Sequence, residues 1–118
     1  MNDVQADGNG GAFFTQTGLY HVAADGTVSV VADKVDTFTN GLQLSPDGKT
    51  LYVTDKDKIL AFDVGAGGST SNRRVFVTLS HEGKGFGADG LAVDNAGRLY
   101  AAGDAGVYVV DPSGKELG

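Results

Sequence analysis

Short runs of β-branched and aromatic residues recur along the whole chain, each bounded by Gly, Asp, Asn or Ser, and no stretch carries a helical period. The runs predict strands over 4–6, 12–16, 19–23 and 28–32, then 41–44, 50–54, 59–64 and 74–79, then 91–93, 98–102 and 107–111. Turn chemistry separates them. Asp25-Gly26 lies between two alternating runs and predicts a tight hairpin with φ > 0 at both central residues. Ser45-Pro46-Asp47-Gly48 predicts a turn in which Pro presets φ and Gly takes the left-handed position. Stretches 65–71 and 81–88 are rich in Gly and polar residues and read as solvated connectors.

The runs repeat. Asn40-Gly41-Leu42 leads after twelve residues to Tyr52, and Asp89-Gly90-Leu91 leads after eleven to Tyr100. Tyr52 to Asp63 and Tyr100 to Asp111 are both eleven residues. Asn2-Asp3-Val4 opens a first copy and reaches Phe14 after twelve. Repeats of roughly 40–50 residues made of short strands predict propeller blades. The expected fold is all-β: one partial β-propeller domain of about three four-stranded antiparallel blades, at 2–39, 40–88 and 89–118. The last blade is short of its fourth strand, which would begin near Lys115.

Composition narrows the classes. Nine Lys and Arg against fifteen Asp and Glu give a net charge of −6, and the basic residues are dispersed, which argues against nucleic acid as a partner. With no cysteine, disulfides, thiolate catalysis and zinc–thiolate sites are excluded. No apolar run reaches the roughly 20 residues that cross a bilayer, and no basic-then-apolar leader precedes Asn2. The expectation is a cytoplasmic protein without a membrane partner. Nineteen glycines in 118 residues, well above the usual ~7%, imply many tight turns.

In a propeller the first strand of each blade lines the central channel, so Asn2, Asn40 and Asp89 come to equivalent places on one axis. Two amide oxygens and one carboxylate form a hard oxygen donor set, suited to Ca²⁺ or Mg²⁺ rather than to a soft metal; the expected cofactor is one divalent cation, Ca²⁺ first, with Zn²⁺, Mg²⁺ or Mn²⁺ as alternatives. Asn, Asp and Gly at a strand start are also ordinary turn residues.

The strings NGLQLSPDGKTLYVTD, DGLAVDNAGRLYAAG and GVYVVDPSGKELG, with the opening NDV, together resemble the gluconolactonase, regucalcin and senescence-marker-protein family of six-bladed propellers. The resemblance covers essentially the whole chain. It implies a metal-dependent hydrolase opening a small sugar lactone, with Asn40 and Asp89 as metal ligands, Asp89 also as catalytic base, and Asn2 touching substrate or metal. The family's N-terminal acidic ligand has no counterpart here. The other reading is a non-catalytic propeller segment that binds or scaffolds. About three blades where the family has six imply either further blades from a longer chain or a homodimer that closes the ring.

Other side chains carry weaker signals. Asp55 and Asp57 are spaced as in a calcium loop, but the bending glycine is absent, so a solvated hairpin turn is expected. His21 sits in a predicted strand as a structural or solvent-facing residue. His81 precedes Asp89 without a nucleophile motif to activate. Lys84 lies in a Gly-rich stretch that lacks the strand–loop–helix setting of a phosphate cradle. Tyr20, Tyr52, Tyr100 and Tyr108 are expected to pack between blades.

Overall fold

The computed structural model describes residues 3–16, 18–32, 39–55, 58–65, 68–79, 90–103 and 106–117, and of residues 32, 39, 40 and 103 the backbone alone. Among the described residues, eleven strands form three antiparallel sheets. Sheet I joins β1 (Asp3–Ala6), β2 (Ala12–Thr15), β3 (Leu19–Val22) and β4 (Val28–Ala32) in chain order. Sheet II joins β5 (Thr39–Leu44), β6 (Thr50–Asp55), β7 (Lys58–Val64) and β8 (Thr70–Thr78) in the same order. Sheet III contains β9 (Leu91–Val93), β10 (Leu99–Gly103) and β11 (Gly106–Val110). The first strands are neighbours, since β5 packs against both β1 and β9.

Two cores separate the sheets. Phe13 and Leu19 of sheet I meet Leu42, Leu51, Val53, Leu60 and Phe62 of sheet II. On the other face of sheet II, Tyr52, Ile59, Ala61 and Leu79 meet Leu99, Ala101 and Val110 of sheet III. Strands β6 and β7 are therefore buried on both faces, whereas β2 and β3 alternate buried with half-buried residues. The outer face of sheet I carries a cross-strand row of Val4, Phe14, Tyr20 and Val30. Phe14 and Tyr20 stack there with ring centroids 5.3 Å apart, and Val4 and Val30 are exposed.

The strands fall close to their expected places, and β8 departs furthest. Strand β8 starts at Thr70 rather than Arg74, so part of the supposed Gly/Ser connector is paired, Val64 with Thr70 and Asp63 with Ser71. Asn72 absorbs the register shift at φ 55°, a left-handed conformation that Asn tolerates better than most residues. Asp63 accepts hydrogen bonds from Asn72 Nδ2 at 3.1 Å and from an Arg74 guanidinium nitrogen at 3.0 Å. The local composition looked flexible; long-range pairing to β7 ordered it.

The Asp25-Gly26 hairpin is also looser than expected. Only Gly26 has positive φ, at 91°; its N–H donates to the Ala23 carbonyl, and the Thr27 N–H donates to Asp25. Five residues connect the strands, and loops of that length are built on an ordinary turn closed by a left-handed glycine. Ser45 to Gly48 makes the expected turn, with the Gly48 N–H donating to the Ser45 carbonyl at 2.9 Å. In sheet III a short return beyond Pro112-Ser113-Gly114 bridges Glu116 to Val110. Of the tyrosines, Tyr52 and Tyr108 pack between sheets II and III. Tyr20 lies on the outer face of sheet I, and the Tyr100 hydroxyl donates to Asp94 Oδ2 at 2.9 Å.

Candidate functional site

The candidate site lies at the starts of the first strands. Asn2 and Asp89 lie outside the described residues, as do Asp57, His81 and Lys84. The residues that flank the candidates are placed, and they define the local backbone. Asp3 follows Asn2 and pairs with Thr15 across β1 and β2. Gly90 follows Asp89, and its carbonyl accepts from the Ala102 N–H at 3.0 Å.

Asn40 belongs to β5, where the pairing with β6 is irregular. Thr39 opposes Asp55 and Leu42 opposes Val53, so Asn40 and Gly41 together face the single residue Thr54. Two residues against one make a β-bulge, a feature that redirects side chains and is common beside active sites. The Gly41 N–H, displaced from the ladder, donates to the buried Thr54 Oγ1 at 2.7 Å.

A carboxylate links the first two strand starts. Asp3 Oδ2 accepts from the Leu42 N–H at 3.0 Å, across thirty-nine positions of sequence. Asp3 Oδ1 accepts from the Val4 N–H at 2.9 Å, and the Asp3 N–H donates to Thr15 Oγ1 at 3.1 Å. Sequence reading passed over Asp3 because its role depends on a partner in the next sheet. The only local hint was its place beside Asn2.

A divalent cation suits the chemistry of the candidate donors: amide oxygens from Asn2 and Asn40 and a carboxylate from Asp89 are all hard ligands. Among the described residues no group of three His, Asp or Glu side chains is placed to hold a metal ion. Asp3, the acidic side chain nearest the candidate positions in sequence, is engaged by backbone N–H groups instead.

The far ends of the strands hold different features. A cavity of about 270 Å³ between sheets I and II is lined by His21, Ser29, Gly68, Ser69 and Thr70 among others. Another of about 300 Å³ lies between the Ser45–Thr50 turn and Asn95–Gly97. His21 is buried rather than solvent-facing and contacts Asp7. At the turn before β10, Asp94 accepts from the Arg98 backbone N–H at 2.9 Å, from Arg98 Nε at 2.7 Å and from Tyr100.

Antiparallel sheets of three to four strands, with neighbouring first strands and stacked through apolar faces, define a partial β-propeller. The chain belongs to the SMP-30/Gluconolactonase/LRE-like family, whose profile matches residues 1–118. It is 28% identical over 109 residues to a gluconolactonase of Zymomonas mobilis, a match that takes in 86% of this chain and 30% of that protein. Among solved structures it resembles a gluconolactonase of Xanthomonas campestris, with TM-score 0.71, 33% identity, 85% of this chain and 33% of that one. It also resembles a luciferin-regenerating enzyme, with TM-score 0.81, 27% identity, 99% of this chain and 44% of that one. The chain thus spans less than half the length of these relatives.

Proposed function

We propose that this chain forms part of a lactone hydrolase that opens a small sugar lactone with one divalent cation, Ca²⁺ in the first instance, at the strand starts. The observation that carries the reading is the grouping of first strands: β5 packs between β1 and β9, the Asp3 carboxylate ties β1 to β5, and a bulge marks Asn40. Asn40 and Asp89 hold the cation through an amide and a carboxylate oxygen, and Asn2 contacts substrate or metal. When bound, the cation supplies Lewis acidity at the lactone carbonyl and lowers the pKa of nearby water. Asp89 accepts the proton of the attacking water. Cleavage of the acyl C–O bond then leaves a hydroxy acid, with the released alkoxide taking up a proton.

Further propeller sheets, from the same polypeptide or from a second copy, cover the outer row of Val4, Phe14, Tyr20 and Val30 and complete the donor set. Uncovered, that row would be an association-prone patch. The test compares gluconolactone hydrolysis with and without Ca²⁺ or Zn²⁺ in the native protein and in Asp89→Ala. Loss of cation-dependent turnover in the variant supports the reading, and equal turnover removes Asp89 from the mechanism. Thermal stabilisation by millimolar Ca²⁺, abolished in Asn40→Ala and Asp89→Ala, separates this reading from a non-catalytic binding segment, for which no shift is expected.

A further inference from the structure

The same hydrogen bond occurs in two sheets, directly after each candidate asparagine. The Asp3 N–H donates to Thr15 Oγ1, and the Gly41 N–H donates to Thr54 Oγ1. Both threonines are fully buried. A buried hydroxyl costs free energy unless it is hydrogen-bonded, and valine would fill the same space without that demand. Sheet III carries no hydroxyl at the matching position, which is exposed there. There Ala102 stands thirteen residues after Asp89, as Thr15 stands thirteen after Asn2, and its N–H donates to the Gly90 carbonyl.

The threonines therefore hold the two strand starts that follow a candidate asparagine in sequence, and Asp3 joins those starts to each other through Leu42. In β5 the bulge raises the stakes. With Asn40 and Gly41 facing one partner residue, the Thr54 hydroxyl satisfies the backbone N–H that the ladder leaves out. Removing it leaves that donor unpaired and frees the bulge to change shape.

We propose that Thr54 and Asp3 are positioning residues that set the backbone from which Asn40 presents its amide to the cation; the inference rests on the lactonase reading above. Neither side chain is a ligand, and both act through Asn40. Outer groups that orient metal ligands typically change affinity by ~10–100-fold when removed.

The experiment is calorimetric titration with Ca²⁺ alone on the native protein, Thr54→Val, Thr54→Ser and Asp3→Asn, together with the melting temperature of each without cation. Thr54→Val is expected to weaken Ca²⁺ binding about tenfold while lowering the cation-free melting temperature by only about 5 °C. Thr54→Ser keeps the hydroxyl and is expected to bind within about twofold of the native protein, which a loss of packing alone would not predict. Asp3→Asn offers one acceptor to two N–H donors, so it weakens binding as well, and it carries the test if Thr54→Val does not fold. Native-like Ca²⁺ affinity in folded Thr54→Val or Asp3→Asn overturns the positioning role while leaving the lactonase reading intact. A native protein that takes up no Ca²⁺ overturns the positioning role and removes Ca²⁺ as the cation of the lactonase reading.

Discussion

The His21 Nε2 atom lies 2.8 Å from Asp7 Oδ2, and the two side chains are 7% and 2% exposed. Asp7 Oδ1 meanwhile accepts from the N–H groups of Asn9, at 2.7 Å, and Gly11, at 3.0 Å. Burial pushes the Asp7 carboxyl up, but the His21 bond and these backbone donors together hold it below its ordinary value of 3.8. Asp7 is thus ionised at neutral pH and can only accept, which places the ring proton on Nε2. One carboxylate closes the Asp7–Gly11 turn and anchors the middle of sheet I. Asp7→Ala should lower stability by about 3 kcal/mol, since it orphans a buried partner as well as two backbone donors. The urea midpoint at constant slope measures it.

The same depressed carboxyl sets a pH dependence. Its contribution is complete above the unfolded value near 3.8 and disappears as pH falls through the lower folded value. The urea midpoint should therefore drop on acidification below about pH 4. In Asp7→Asn that part of the drop should be missing; an identical pH profile in the variant would reject the assignment.

Gly68 covers the His21 ring from the neighbouring sheet at φ +80°, and a Cβ there would land on the ring itself. Gly68→Ala should cost about 2 kcal/mol, from the left-handed backbone and the overlap together. Only the overlap depends on His21. A double-mutant cycle with His21→Ala should show the glycine substitution costing about 1 kcal/mol less in the truncated background.

Asp94 titrates at about 2 instead of 3.8, held down first by the Arg98 backbone N–H and then by the Arg98 and Tyr100 side chains against an opposing effect of burial. Arg98→Ala retains the N–H. NMR titration of the Asp94 carboxyl should show it still below its ordinary value in Arg98→Ala, and moving further up when Tyr100→Phe is added.

Val53 and Val107 both lie in strands but differ in exposure, 0% against 65%. Val53→Ala should cost about 2 kcal/mol by opening a cavity between sheets I and II. Val107→Ala should stay within about 0.5 kcal/mol. Denaturant unfolding of the two variants checks the contrast.

Much of this molecule was legible one residue at a time. The strand runs, the Ser45–Gly48 turn and the spacing of Asn2, Asn40 and Asp89 are local or periodic signals, and they led to a partial propeller and its family. The short β8 prediction shows the limit of that reasoning. Residues 70–71 look like connector, yet they pair with Val64 and Asp63 because an adjacent strand supplies the donors and acceptors.

Sequence alone determined the blade plan, because backbone preferences of Gly, Pro, Asp and β-branched residues act within a few positions. Tertiary structure decided which strands are buried twice, why Thr54 is a threonine, what Asp3 joins and what closes over His21. Each of those depends on groups brought together from distant positions, and the period-2 alternation of a strand states only that it has two faces, not what will cover either of them.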